Sequence, residues 1–319
     1  MTNGTTATTA LRPPGTSARR LTLAAGVPVV LVLIAGAVFG AVTGLASASY
    51  PVRYVFPSGS GPLTSQLENS TLTLRPAAVG APVLAGTAHY TLFRSAFTHA
   101  GDTARYHCPW SLGGCKLTAT LRVPATSPVS LSTHGGDVAI PSFSRAITLN
   151  TSGGDLTAGT LSGALNLDTR GGDATVTRLT GPPAKLNSGG GDVTVQAMAT
   201  SGTVDSQGGD VTVHTLATTG TTTVDSQGGD VTVHALATPG TTTMDSSGGD
   251  VTVTATTAPA NLEITSAGGD VTIVLPHGSY DFSTNPAGGD VSQPASNPHA
   301  QHKITVQSGG GDVTIKEAS

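Results

Sequence analysis

The sequence predicts an all-β protein: a β-solenoid of about ten coils, with an N-terminal β cap, preceded by one transmembrane helix. Three observations carry that reading. The tripeptide Gly-Gly-Asp recurs ten times, with Asp at 137, 155, 173, 192, 210, 230, 250, 270, 290 and 312, in steps of 18 to 22 residues. A period of that length over more than half a chain marks stacked coils. Around each Asp, apolar and polar residues alternate with period two and β-branched residues dominate, which reads as strand. Residues 21–48, finally, carry no charge.

Residues 1–20 are Thr-rich, hold Arg12, Arg19 and Arg20 with no acidic residue, and read as a disordered cytoplasmic tail. The run 21–48 exceeds the roughly 20 apolar residues that span a bilayer as a helix. Arg19 and Arg20 on its N-terminal flank assign that end to the cytoplasm. The expectation is a signal anchor, hence a single-pass protein of the cell membrane with its repeats outside. A cleaved signal peptide competes, because Ala46-Ser47-Ala48 matches a small-x-small cleavage site. Its apolar region would be about 7–15 residues, shorter than this run.

Residues 49–64 are expected to form a linker, and residues 65–124 a membrane-proximal β cap. Alternation in Thr71-Leu72-Thr73-Leu74 and in Lys116–Val123 reads as strand. Residues 50–124 hold four of the five tyrosines, the one tryptophan and both cysteines. A solenoid needs such a cap, because an open end exposes unpaired strand edges.

Residues 125–319 are the solenoid. Six residues before the repeated Asp stand Leu131, Leu149, Leu167, Leu186, Val204, Val224, Met244, Ile264, Thr284 and Val306, all apolar but Thr284. One and three residues after it come pairs such as Val211 and Val213, or Val231 and Val233, usually with Thr between. Two strands joined by the Gly-Gly corner are therefore expected in each coil. A third apolar row six after the Asp (Phe143, Leu161, Leu179, Met198, Leu216, Leu236) suggests a third face and a triangular coil. Glycine suits the corner because it accepts positive φ and lets stacked backbones approach. Coils about 4.8 Å apart would build a rod on the order of 45 Å long.

Charge divides along the chain. Residues 1–124 hold nine Lys/Arg against two Asp/Glu, whereas residues 125–319 hold six against seventeen. An acidic rod repels phosphate backbones, so nucleic acid is excluded as a partner.

The single N-terminal span, the Cys pair, the strand ending Leu121-Arg122-Val123-Pro124, then Val129-Ser130-Leu131-Ser132-Thr133 and the run of Gly-Gly-Asp-Val-Thr-Val coils together resemble a known group. It is the bacterial "putative adhesin" β-strand-repeat family of actinobacterial type, a domain of unknown function. The resemblance covers roughly residues 65–319. It implies a β-solenoid at the cell envelope, and brings neither an agreed activity nor catalytic residues.

Candidate sites are few. Cys108 and Cys115 are expected to form a disulfide in an exported segment. A metal site with His107 lacks a fourth ligand. The repeated Asp is read as a turn residue that bonds nearby backbone N–H groups. The alternative is a calcium or cation site on Asp205, Asp210, Asp225, Asp230, Asp245 and Asp250, where a second ladder five residues earlier flanks the first. Calcium-binding β-rolls differ, having a nine-residue repeat. His214 and His234 sit at equivalent places in adjacent coils and read as solvent-facing. The Thr ladder Thr194, Thr212, Thr232, Thr252, Thr272 lacks the second Thr rank of an ice-binding face. Arg170 and Arg178 beside Asp168 and Asp173 read as a cross-coil charge pair. Neither a Ser-His-Asp nor a paired-carboxylate arrangement stands out, and the even spacing leaves no room for the inserted loops of a carbohydrate-processing β-helix enzyme. The expected function is non-enzymatic and cofactor-free: a cell-surface rod, structural or adhesive, presenting Thr, Ser and Asp to the wall, a glycan or a protein.

Overall fold

The computed structural model describes residues 47–57, 62–91, 94–109, 114–124 and 127–318. Ser49–Ser319 is one compact unit, and its buried apolar core runs from Val52 to Ile315, so the unit carries its own core. Among the described residues every regular element is a strand, and no helix is long and apolar enough to cross a membrane. The tail expected over 1–20 and the transmembrane helix expected over 21–48 lie outside the described residues, except for Ser47 and Ala48. The linker expected over 49–64 begins instead as strand β1 (Ala48–Val55). Tyr50, Val52 and Tyr54 alternate inward along it, and Pro51 is accommodated because β1 is the edge of its sheet.

The chain forms a β-solenoid of about nine turns from a 14-stranded and a 13-stranded sheet, parallel throughout the repeats. Each coil gives one strand to each sheet. Val193, Val211, Val231, Val251, Val271 and Val313 are register partners on consecutive strands of the 14-stranded sheet, and each is fully buried. Leu149, Leu167, Leu186, Val204, Val224, Met244, Ile264 and Val306 form the matching inward row of the 13-stranded sheet. A single coil could not bury these residues. Stacking removes them from water at about 1.5–3 kcal/mol each.

The third apolar row makes no third sheet. β9 (Val138–Phe143) buries Val138, Ile140 and Phe143 and turns both Pro141 and Ser142 outward. Two consecutive outward residues reset the phase of alternation, so Phe143 re-enters the core from the same strand. Leu161, Leu179, Met198, Leu216 and Leu236 continue that row within the 14-stranded sheet, and the coil is two-sided.

The corner glycines act by closeness more than by dihedral. Left-handed φ occurs at Gly135, Gly153 and Gly289, while the other Gly-Gly-Asp corners do without it. A Cβ on Gly229 would fall 2.3 Å from Asp210 Oδ1 and 2.7 Å from the Gly209 carbonyl carbon. No side chain fits at this second glycine of the pair, whereas a Cβ on the first would meet nothing closer than 3.7 Å at Gly171 or Gly268.

Both ends depart from simple stacking. At the N-terminal end, β2 (Leu63–Glu68) and β3 (Ser70–Ala77) form a coil directly against β8 (Val129–His134) and β9. The chain then adds β4 (Val83–Tyr90), β5 (Ala96–Ala100), β6 (Thr103–His107) and β7 (Lys116–Pro124). β6 and β7 make a further coil outside the first, and only afterwards does the chain return to β8. β4 pairs antiparallel with β7 and β5 with β6, and the edges β1 and β5 finish the two sheets. A disulfide joins Cys108 and Cys115 across the β6–β7 corner. Glu68 accepts from the Cys108 N–H at 2.9 Å and meets His107 Nδ1 at 3.0 Å, tying that corner to the coil beneath. Burial raises the Glu68 carboxyl, but those two hydrogen bonds and the nearby histidines outweigh it and the net shift is downward.

At the C-terminal end the order inverts again. Strand Val313–Glu317 lies between Val271–Leu275 and Val291–Ser292, and His302–Ser308 lies between Asn261–Ser266 and Tyr280–Pro286. The last coil in sequence is thus second from the end in space. The Asp290 coil closes the rod and gives the 14-stranded sheet only two residues, Val291–Ser292. The loop after it covers the outer edge of Tyr280–Pro286. Asn297 N–H donates to Tyr280 O at 2.8 Å, and Phe282 N–H donates to Ser296 Oγ at 2.9 Å. Pro294 and Pro298 in that loop cannot extend the ladder.

Candidate functional site

The repeated aspartates form one hydrogen-bonded chain. From Asp155 onward each Asp N–H donates to Oδ1 of the Asp one coil away: Asp155 to Asp137, Asp173 to Asp155, Asp192 to Asp173, Asp210 to Asp192, and so on to Asp270 on Asp250, at 2.8–3.2 Å. The chain then follows space and not sequence, running from Asp312 to Asp270 and from Asp290 to Asp312, both at 2.8 Å. The corner takes this N–H out of the strand ladder, and a carboxylate oxygen replaces the lost acceptor with a charge-assisted bond. The turn reading of Asp210, Asp230 and Asp250 thus holds in a modified form: the N–H that each carboxylate serves belongs to the neighbouring coil.

A second row at the corner was readable as a period. Four residues before the Asp stand Thr133, Thr151, Thr169, Ser188, Ser206, Ser226, Ser246, Ser266 and Ser308, all buried, with Pro286 the one exception. Ser226 Oγ accepts from Gly229 N–H at 2.9 Å and donates to Gly209 O at 2.9 Å. The hydroxyl therefore staples a corner to itself and to the coil below.

Asp205, Asp225 and Asp245 lie in register on the outward face of the 13-stranded sheet. Burial raises the Asp205 carboxyl, with Lys185 acting against it. Burial, then the charges of Asp205 and Asp245, raise Asp225. Asp205 Oδ1 and Asn187 Oδ1 are buried without a hydrogen-bond partner. Among the described residues no three His, Cys, Asp or Glu side chains are grouped to hold a metal.

The imidazoles of His214 and His234 stack at 4.9 Å and 20°. Arg170 Nε meets Asp168 at 4.0 Å within its own coil, so this pair does not cross coils as expected. The Thr ladder is longer than the sequence reading took it to be: Thr157, Thr175, Thr194, Thr212, Thr232, Thr252, Thr272 and Thr314 are consecutive register partners. The cap carries surface hollows. One of about 490 Å³ is lined by Arg53, Val83, Ala85, Thr87, Thr120 and Arg122. Another of about 380 Å³ is lined by residues including Tyr50, Arg53, Arg94, Phe97 and His99.

The sequence profile of the family described as Toastrack DUF4097 matches residues 102–316. No curated protein matches the chain. A crystal structure described as a "putative adhesin" from Parabacteroides merdae is similar, with 8% identity, 85% of this chain and 96% of that chain covered, and a TM-score of 0.41. Another so described, from Bacteroides fragilis, shows 14% identity, coverage of 85% and 97%, and a TM-score of 0.39. A "putative lipid binding protein" from Parabacteroides distasonis shows 11% identity, coverage of 85% and 97%, and a TM-score of 0.34.

Proposed function

The chain belongs to the Toastrack DUF4097 family, and from that premise we propose that it is a non-enzymatic, surface-exposed rod whose repeated outer face binds a wall polymer, a glycan or another protein. In this reading residues 21–48 anchor it to the cell membrane by a single span, residues 1–20 stay in the cytoplasm and the solenoid lies outside. The observation that carries the proposal is the row of eight threonines from Thr157 to Thr314, one per coil and in register. At about 4.8 Å per coil such a row presents hydroxyls at a fixed pitch over roughly 34 Å. A ligand with its own repeat gains from many weak contacts at once.

Two measurements test it. Protease added to intact cells should remove the repeats; survival in intact but not lysed cells sinks the topology. Purified residues 47–319 should be retained on cell-wall material or on a glycan array, and changing Thr194, Thr212 and Thr232 to Lys should abolish retention. Retention unchanged in that variant refutes the face assignment.

A cation-binding module is the second reading. It is favoured by the register of Asp205, Asp225 and Asp245 and by the unpartnered Asp205 Oδ1. Against it, one oxygen of each repeated Asp except the terminal Asp290 already accepts a backbone N–H.

A further inference from the structure

The acidic rod ends in a basic cap. Between residues 47 and 124 stand Arg53, Arg75, Arg94, Arg105, Lys116 and Arg122 against Glu68 and Asp102. Glu68 is committed to His107 and the Cys108 N–H. Among the described residues none of these arginines forms an ion pair. Three of them share the outer face of the 14-stranded sheet. Arg75 on β3 and Arg122 on β7 are register neighbours, and Arg53 on β1 lines the same 490 Å³ hollow as Arg122. Arg53 also lines the 380 Å³ hollow with Arg94, which sits over the Tyr50 ring at 4.9 Å. Like charges on adjacent strands repel, so this arrangement is relieved by an anion from outside.

Among the described residues, two of the three exposed large apolar side chains belong to the cap, and the third, Val291, to the opposite end of the rod. Val55, Val79 and Val291 are exposed at 49%, 88% and 39%. Val55 follows Arg53 by two residues on β1, and Val79 lies in the β3–β4 loop, next to the point where Phe56 N–H bonds Pro82 O. Unpaired arginines beside exposed valines suit a bilayer interface: guanidinium groups meet phosphates while apolar side chains enter the acyl boundary. Arg53 lies five residues after Ala48, where the uncharged run ends.

We propose that the face of the cap bearing Arg53, Arg75, Arg122, Val55 and Val79 docks on anionic phospholipid headgroups of the membrane beside it. The orientation of the docked cap rests on the anchored reading above; the affinity for lipid does not.

The test is flotation of residues 47–319 with vesicles of equal parts phosphatidylglycerol and phosphatidylcholine, and with phosphatidylcholine alone. Binding is expected on the anionic vesicles only, weakening as salt rises. Each arginine near an anionic leaflet contributes about fivefold to partitioning, so Arg53→Gln with Arg122→Gln should lower it roughly 25-fold. Arg170→Gln with Arg178→Gln, on the rod, should leave partitioning within about twofold at physiological salt, since Arg178 stands four strands along the sheet from Arg122, roughly 19 Å or about two Debye lengths. Val79→Asp, in an exposed loop, should also weaken binding and guards against a folding defect in the double variant. Absence of binding to anionic vesicles, equal binding to neutral ones, or equal losses from cap and rod variants would each overturn the proposal. Protease treatment of intact cells reads the topology separately, so the two readings fail separately.

Discussion

The backbone N–H of Asp230 donates to Oδ1 of Asp210, one coil away, at 2.8 Å. That bond explains why a row of like charges persists at one coil spacing. The corner removes an N–H from the parallel ladder, and the carboxylate of the neighbouring coil is the acceptor within reach. Repulsion between exposed carboxylates is weak in water, about 1 kcal/mol at 4 Å and less with salt. An unpaired corner N–H costs about 1–3 kcal/mol. The hydrogen bond wins.

Replacing Asp210, Asp230 and Asp250 together should therefore depend on what replaces them. Asn keeps the Oδ1 acceptor, and the triple Asn variant should melt within a few degrees of the wild type. Ala leaves three N–H groups without their acceptor and should lower stability by about 3–6 kcal/mol in all, taking 1–2 for each. Thermal melting of residues 47–319 with calcium and with chelator decides the matter. Under the structural reading calcium changes little in any variant. A calcium-dependent gain in the wild type that disappears with Asn would promote the cation-binding reading.

The register makes a sharper demand at adjacent positions. Val231 is fully buried between Val211 and Val251, while Thr232 is its outward neighbour. Val231→Asp places an unpaired charge in the column and should cost several kcal/mol. Thr232→Asp should cost less than about 1 kcal/mol. Chemical denaturation of the two variants gives the comparison, and equal losses would contradict the inward and outward assignment.

Asp225 supplies a pH dependence whose sign follows from linkage. Its carboxyl is raised in the folded state, by burial first and then by Asp205 and Asp245. The folded chain therefore holds that proton more tightly than the unfolded chain. Stability falls as pH rises from the unfolded value, near 3.9, through the raised one. Asp225→Asn removes the penalty. It should melt higher than the wild type at neutral pH and lose that advantage below pH ~3.5, where both states are protonated. A variant that is less stable at neutral pH would mean that the carboxylate gains more there, for instance from a bound cation, than burial takes away.

What the sequence made legible was whatever repeats. The inward rows through Val211, Val231 and Val251 and through Val204, Val224 and Met244 follow from period two alone. The corner hydroxyls at Ser206, Ser226 and Ser246 are equally periodic, but Ser is an ordinary turn residue until its burial is known. The third apolar row is legible in the sequence, but its place in the coil is not. Alternation cannot tell a new face from a strand that turns Pro141 and Ser142 outward in succession. The first part of the expected linker is strand, and its Tyr50, Val52, Tyr54 alternation stands among prolines and glycines that do not signal an edge strand. The inverted coil order was hardest, because stacking order is not local. Its trace is the Asp290 coil itself, where Thr284, Pro286 and Gln293 break three rows at once. A coil with one neighbour is free of the constraint that keeps the others regular.

That inversion can be tested by cross-linking. Glu263, Thr305 and Ser283 hold the same outward rank, and the register pairs Glu263 with Thr305 and Thr305 with Ser283. Neighbouring strands lie about 4.8 Å apart, so Glu263 and Ser283 are separated by roughly two strand spacings, near 9.6 Å. A disulfide requires Cα atoms about 4.4–6.8 Å apart. In a protein with Cys108 and Cys115 kept, Glu263→Cys with Thr305→Cys should oxidise to an internal cross-link, seen as a loss of free thiol and a mobility shift reversed by reductant. Ser283→Cys with Thr305→Cys should behave alike. Glu263→Cys with Ser283→Cys should stay reduced. A rod whose coils stack in sequence order makes the opposite demand on the first and third pairs, joining Glu263 to Ser283 and leaving Thr305 out of reach of Glu263. Cross-linking of the third pair but not the first would therefore restore the simple stack and remove the closing role assigned to the Asp290 coil.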